Sequence, residues 1–129
     1  MTLPAFALRI AASTVALVLS SAAAFAQVLP FEGNYGNETG CVFHATGLIE
    51  DLEGMALTND VLETSTTSCA FMAILKIEGE NTTVEVLCHH EGEEGMKVGQ
   101  FTIANRGEAG FFILGDVAGD ERGPLKPCP

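Results

Sequence analysis

The clearest strand pattern lies in the middle of the chain, between Ser68 and His89. Every second residue over Cys69–Ile77 is apolar, and the alternation resumes over Val84–Cys88 after a polar break around Gly79. Alternation of this kind is typical of strands with one buried face, and a short break containing glycine indicates a hairpin. The pattern therefore predicts a β-hairpin whose first strand has Cys69, Phe71, Ala73, Leu75 and Ile77 on one face.

Two further apolar segments follow the hairpin. Phe101 and Ile103 share one face of the segment Met96–Ala104, and Phe111–Leu114 is short and wholly apolar. With the hairpin they predict a four-strand antiparallel meander. Polar, glycine-rich clusters separate the segments at the spacing of an all-β domain. The predicted fold class is all-β, a small antiparallel sandwich or partly open barrel stapled by two disulfides.

The pattern before the hairpin is weaker and allows two interpretations. The first is a strand over Cys41–Ile49 followed by two short strands, Met55–Thr58 and Val61–Thr64. The alternative is a helix over Leu48–Leu62, because several of its apolar residues recur at helical spacing. Gly54 interrupts that helix and is a poor helix former, which favours the strands.

The N-terminus has the three parts of a secretory signal. Arg9 supplies a positive charge, Ile10–Leu19 is apolar, and Ala24-Phe25-Ala26 fits the small-x-small rule for signal peptidase. We therefore expect residues 1–26 to be removed and residues 27–129 to form a single β domain. The alternative, a retained membrane anchor, is disfavoured because a spanning helix needs about 20 apolar residues. The expected location is the periplasm or the exterior of the cell.

Four cysteines, all after residue 26, agree with export, because an even number in a short exported chain indicates a disulfide framework. A bridge Cys69–Cys88 fits the hairpin if the two residues lie directly opposite each other, which requires Glu78-Gly79 as the turn. A turn at Gly79-Glu80 would make them diagonal neighbours and strain the bridge. The remaining pair, Cys41–Cys128, would then tie a C-terminal tail, residues 123–129, to an early strand. Its three prolines predict that this tail is irregular.

The charge of the chain limits the kinds of partner that it can bind. Seventeen acidic residues outnumber six basic ones, for a net charge of −11. A surface of this sign repels nucleic acids and anionic membranes, so we expect neither as a partner once the signal is removed. It suits cationic partners or divalent cations.

The residues that carry chemistry are few. Only two serines, Ser65 and Ser68, follow the predicted cleavage site, and neither lies in a nucleophile motif, so no enzymatic activity is predicted. The candidate metal ligands are His89 and His90, at a strand end before an acidic turn, with His44 and Glu91 (a small zinc or copper site). Both histidines of the pair can bind one metal only if the strand has already ended. Beyond that divalent metal, no cofactor is expected.

Two short motifs carry family resemblances. Gly33-Asn34-Tyr35 before successive strands resembles the start of lipocalin-type barrels and of the periplasmic barrels that inhibit bacterial metalloproteases. The spacing of Cys41, Cys69-x-Phe71, Cys88-His89-His90-Glu91-Gly92 and Cys128 resembles small exported four-cysteine proteins of unknown function from alphaproteobacteria. The second resemblance implies a β fold and a periplasmic address, and it implies no activity.

The sequence thus predicts a non-catalytic exported module that binds a protein or small ligand, with inhibition among its candidate roles. The alternatives are a small metal-binding protein that uses the histidines and a barrel that carries an apolar ligand. Each has a structural requirement. An interaction module needs an exposed apolar patch, a metal site needs His44 near His89 or His90, and a carrier needs an unfilled apolar interior.

Overall fold

The computed structural model of the protein describes Leu29, residues 31–115 and residues 120–129. The predicted signal peptide, residues 1–26, lies outside the described residues. A short 3-10 turn, Gly107–Ala109, joins two of the strands. The regular elements, in chain order, are β1 (Tyr35–Gly36), α1 (Glu38–Thr46), β2 (Met55–Leu57), β3 (Val61–Thr64), β4 (Thr67–Glu78), β5 (Asn81–His90), β6 (Lys97–Asn105), β7 (Phe111–Leu114) and β8 (Glu121–Pro127).

The strands form a closed antiparallel barrel. Each strand pairs with the next along the chain, and β1 closes the barrel by pairing with β8. The predicted all-β antiparallel fold is confirmed, and strands β4 to β7 form the predicted meander. Of the two architectures that the sequence left open, the barrel is the one formed, and it is closed rather than partly open. We call the part built from β8, β1, α1 and β2 the seam.

The barrel interior is packed with aliphatic and aromatic side chains. The most deeply buried are Leu57, Leu125, Val84 and Val86, which are at most 1% exposed. Burying a side chain of this size contributes about 1.5–3 kcal/mol. In the described part of the chain no polar or charged residue is buried, so the core consists of apolar side chains and the Cys69–Cys88 disulfide.

The β4–β5 hairpin combines the two registers that the sequence analysis treated as exclusive. Cys69 lies opposite Cys88, as predicted, yet Glu78 pairs with Asn81, so the turn is Gly79-Glu80 rather than Glu78-Gly79. Two register shifts in β4 account for the difference, each adding one residue to that strand. A β-bulge changes the register in this way without breaking the ladder. Gly79 adopts φ +59, a left-handed conformation that glycine accepts without a steric penalty.

The bulges also change which residues of β4 face the interior. Ile74 pairs with Val84, and Ile77 pairs with Thr82, so the inward positions after Phe71 are 74 and 77. The prediction that Ala73 and Leu75 share a face with Cys69 and Phe71 is therefore wrong. Ala73 pairs with Glu85 on the outer face, and Leu75 falls at the second bulge and is exposed.

The predicted strand over Cys41–Ile49 is wrong, because helix α1 occupies most of this segment. The Asn37 side chain caps the helix by accepting from the Gly40 amide at 2.9 Å, and Gly47 ends it in the left-handed conformation. The alternative helix over Leu48–Leu62 is not formed either, since β2 and the start of β3 lie within it. In the described residues, no helix has the length and apolarity needed to cross a bilayer.

Helix α1 is held close to β2 by two glycines and by Asn37. A Cβ atom on Gly40 would lie 1.7 Å from the Met55 carbonyl oxygen, and one on Gly36 would lie 2.9 Å from the same oxygen. The Asn37 Oδ1 atom accepts a second bond, from the Met55 amide at 3.0 Å, and its Nδ2 donates to the Glu53 carbonyl. Asn37 therefore joins the helix to the strand as well as capping it.

The structure contains disulfides Cys69–Cys88 and Cys41–Cys128, which is the favoured pairing. Cys41 lies on α1 rather than on a strand, so this bridge ties the tail to the helix. The tail is not irregular, because β8 extends to Pro127 despite two prolines. Pro124 lies at a register shift between β7 and β8, where the ladder requires no amide from it.

Candidate functional site

The predicted metal ligands are not brought together. His44 lies on α1, whereas His89 and His90 are the last two residues of β5. Because the strand continues through His90, these neighbours point to opposite faces of the barrel wall. Within residues 31–115 and 120–129, no three His, Cys, Asp or Glu side chains cluster closely enough to hold a metal ion.

Two of the histidines make hydrogen bonds to the protein instead. The His44 Nε2 atom lies 2.9 Å from the Tyr35 carbonyl oxygen. A carbonyl oxygen only accepts, so Nε2 donates and carries the proton. The His90 Nδ1 atom lies 2.9 Å from the Thr67 hydroxyl. These hydrogen bonds connect α1 to β1 and β5 to β4, so both imidazole rings have a structural role.

The middle of the barrel has no room for a carried ligand, because the aliphatic core fills it. Spaces lie at the two ends of the barrel. One end holds a cavity of about 230 Å³ beside the Gly79 turn. The other holds a depression of about 330 Å³ with a mixed lining, which includes Gly115 and Asp120 on either side of residues 116–119. The requirement of a carrier for an unfilled apolar interior is therefore not met in the middle of the barrel.

An apolar row crosses the outer face of four adjacent strands. The pairing register places Val61 opposite Ala70, Ala70 opposite Leu87, and Leu87 opposite Val98. Residues that pair across strands share one face, and their neighbours Leu62, Cys69 and Cys88 are buried inside the barrel. Val98 is 69% exposed, and Met72, at the first bulge of β4, is 51% exposed beside the row. We call Val61, Ala70, Met72, Leu87 and Val98 the outer patch.

Carboxylates flank the outer patch on both sides. The next outward row toward the Gly79 turn contains Glu85, which pairs with Ala73 and Gln100. The next row in the opposite direction contains Glu63 beside Ser68, whose hydroxyl donates to the Glu63 carboxylate at 2.8 Å, and then His89. Successive outward rows are about 7 Å apart, since they are two residues apart along each strand. The patch is thus an apolar stripe with a carboxylate on each side.

Ion pairs neutralise several of the basic residues, which leaves the surface strongly negative. Lys76 pairs with Glu78 at 2.7 Å and Lys97 with Glu93 at 2.9 Å. The hydrogen bond from Lys97 lowers the pKa of Glu93 below its ordinary value.

Arg106 binds Glu121 through both of its terminal nitrogens and lies 4.4 Å from the centre of the Phe112 ring. The hydrogen bond from Arg106 lowers the pKa of Glu121, and the same bond raises the pKa of Arg106. The three exposed ion pairs neutralise Lys76, Lys97 and Arg106. The carboxylates outside these pairs therefore make the surface negative.

The outer patch was missed by the sequence analysis, although a signal for it was present. In a strand with one solvated face, the outward positions are expected to be polar. Ala70, Met72 and Leu87 occupy positions that the alternation assigned to the outer face of the hairpin, yet they are apolar. Apolar residues on the face that should be polar are a signature of a contact surface.

No protein-family model matches the chain, and neither a curated protein sequence nor a solved structure shows significant similarity to it.

Proposed function

We propose that the protein is a non-catalytic, exported interaction module that binds another protein through the outer patch. The observation that carries this proposal is the continuous apolar row Val61–Ala70–Leu87–Val98 on the outside of a barrel whose middle is already filled. Burial of exposed apolar area is the main source of affinity in protein association. A rigid barrel wall also loses little conformational entropy when a partner binds to it.

The charge around the outer patch specifies the partner further. The chain carries a net charge of −11, and Glu63 and Glu85 lie on opposite sides of the apolar row. A partner surface with an apolar centre and basic residues on both sides would complement this pattern. Electrostatic complementarity of this kind mainly raises the association rate and the specificity, and salt weakens it. We therefore propose a basic protein as the partner, and inhibition of such a protein is one role compatible with this mode of binding.

The test is site-specific photo-crosslinking in the native host. A benzophenone amino acid replaces Val98 in the outer patch, and a matched variant carries it at Leu52, which is 75% exposed in the turn before β2. We expect one discrete cross-linked protein of basic isoelectric point from position 98 and none from position 52. The cross-linked protein is then purified, and its dissociation constant for the untagged exported protein is measured at two salt concentrations.

Substitutions decide whether the outer patch itself makes the contact. Val98→Asp should weaken binding by at least about tenfold, since it places a charge in a desolvated apolar contact, whereas Leu52→Asp should leave the dissociation constant unchanged. An equal effect of the two substitutions, or an affinity that does not fall with added salt, would exclude the proposed mode of binding.

A further inference from the structure

The cavity at the Gly79 end of the barrel is a second place where the molecule can bind something. It has a volume of about 230 Å³ and lies between the β4–β5 turn, the end of β6 and the start of β7. Leu29 and Phe31, which precede β1 in the chain, form its remaining wall. Its lining residues are Leu29, Phe31, Ile77, Gly79, Glu80, Thr82, Ile103, Asn105 and Phe111.

The pairing register explains why this end is unfilled. Ile77 pairs with Thr82 and Thr82 with Ile103, so these three side chains form the last inward row of the barrel. The hydroxyl-bearing Thr82 is too short to reach across the opening, and Gly79 adds no side chain. As a result Ile77 is 61% exposed, although it points to the interior side of its strand.

The chemistry of the lining limits what can bind there. The deep wall is apolar and includes two aromatic rings, Phe31 and Phe111, whose centres are 4.7 Å apart. The polar lining residues are Glu80, Thr82 and Asn105, of which Glu80 is charged and lies in the turn at the rim. An apolar cavity of about 150 Å³ binds benzene, so one of this size has room for an aromatic ring with a few more atoms. A carboxylate at the rim favours a cation and repels an anion.

We propose that this end of the barrel is a binding site for a small aromatic amine. Its ring would pack against Phe31, Phe111 and Ile103, and its ammonium group would face Glu80. The site does not depend on the proposed protein interaction. Ala70, in the outer patch, pairs with Leu87, and Ile77 pairs with Thr82, which is five residues away along β5, a distance of about 17 Å.

The test is an NMR titration of the untagged exported protein with phenethylamine, with 3-phenylpropionate as the matched probe of opposite charge. We expect phenethylamine to shift the methyl signals of Ile77 and Ile103 and the amide of Thr82, with a dissociation constant in the millimolar range. The phenylpropionate should bind at least about tenfold more weakly, because of the carboxylate at the rim. Glu80→Gln should remove this preference while retaining the binding of phenethylamine.

A cavity-filling substitution tests the location. Thr82→Leu should weaken phenethylamine binding by about tenfold or more, since it occupies the space between Ile77 and Ile103. If that variant does not fold, Ile77→Phe fills the same opening from a residue that is already exposed. Val98→Asp should change nothing here, so failure of this proposal is distinct from failure of the protein-binding proposal. The absence of shifts at saturating phenethylamine, or binding that survives both filled variants, would overturn it.

Discussion

The barrel is built from two regions that close in different ways. Strands β4, β5 and β6 are nine to twelve residues long and are held by eight to ten paired residues at each junction. In the seam, β1 is two residues long and offers two pairs to each neighbour. The long strands are stabilised by many repeated contacts, whereas the seam depends on a few specific ones: a disulfide, an asparagine and two glycines.

This difference predicts where the molecule is fragile. A ladder with many equivalent contacts tolerates the loss of any one of them, because the neighbouring pairs keep the register. The seam has too few paired residues for the remaining ones to keep the register in this way. A single changed atom at Gly40 or Asn37 therefore acts on the closure of the whole barrel, and the experiments below compare matched changes in the two regions.

The largest expected effect is the loss of the disulfide in the seam. Cys41 and Cys128 are 87 residues apart along the chain, whereas Cys69 and Cys88 are 19 apart. Loop entropy predicts a stabilisation of about 4.5 kcal/mol for the first bridge and about 3 kcal/mol for the second. The variant Cys41→Ala/Cys128→Ala is compared with Cys69→Ala/Cys88→Val, which keeps core volume, by urea denaturation monitored by circular dichroism. A greater loss from the hairpin variant would contradict the comparison.

The second effect is steric, and glycines in the two regions provide the matched pair. Gly40→Ala places a methyl group 1.7 Å from the Met55 carbonyl oxygen, so the helix must move away from β2. The free energy of unfolding should fall by about 3 kcal/mol or more. Gly99→Ala on β6 meets only the Val86 methyl at 3.7 Å and should change stability by less than about 0.5 kcal/mol. Thermal denaturation of both variants measures this difference in stability. Similar melting temperatures would show that α1 can move away from β2 without loss of stability.

The smallest of the three effects concerns the Asn37 side chain. Asn37→Ala removes the cap of α1 and leaves the Met55 amide without its acceptor, for an expected loss of about 2–3 kcal/mol. Asn37→Asp keeps the accepting oxygen and loses only the bond donated to the Glu53 carbonyl, so it should lose less, about 1 kcal/mol. Hydrogen exchange at the Met55 amide measures the opening of the seam directly. Equal exchange rates in the two variants would show that the shared oxygen does not control that opening.

The long strands were predictable from the sequence because their pattern repeats over many residues. The hairpin, the meander and the cysteine pairing follow from alternation and register. The bulges in β4 were not predictable, because every residue from Cys69 to Leu75 is apolar and the sequence does not mark where the inward face changes.

The seam was mostly misread, for a different physical reason. Helix α1 contains Val42, Phe43 and two threonines, which individually favour strands, and the helix forms because it is capped by Asn37 and packs on β2. Tertiary contacts therefore outweigh local propensity there. The capping signal was present in the order Asn37-Glu38-Thr39-Gly40, with Gly47 at the end.

The two candidate binding sites also differ in how far the sequence could predict them. The outer patch could have been found from apolar residues at outward positions of the hairpin. The aromatic cavity could not, because Phe31, Ile77 and Phe111 are far apart in the chain and only barrel closure brings them together.

The bulges of β4 have a consequence for saturation mutagenesis of this protein. The inward positions of that strand are 69, 71, 74 and 77, so positions intolerant of polar residues should recur after two, three and three residues. A spacing of three resembles the periodicity of a helix more than that of a strand. Tolerance profiles over Thr67–Glu78 would thus assign a helix to the longest strand of the barrel. The periodicity of variant fitness shows which residues of a strand are buried. In β4 the inward positions shift at two bulges, so this periodicity no longer matches the two-residue repeat of a strand.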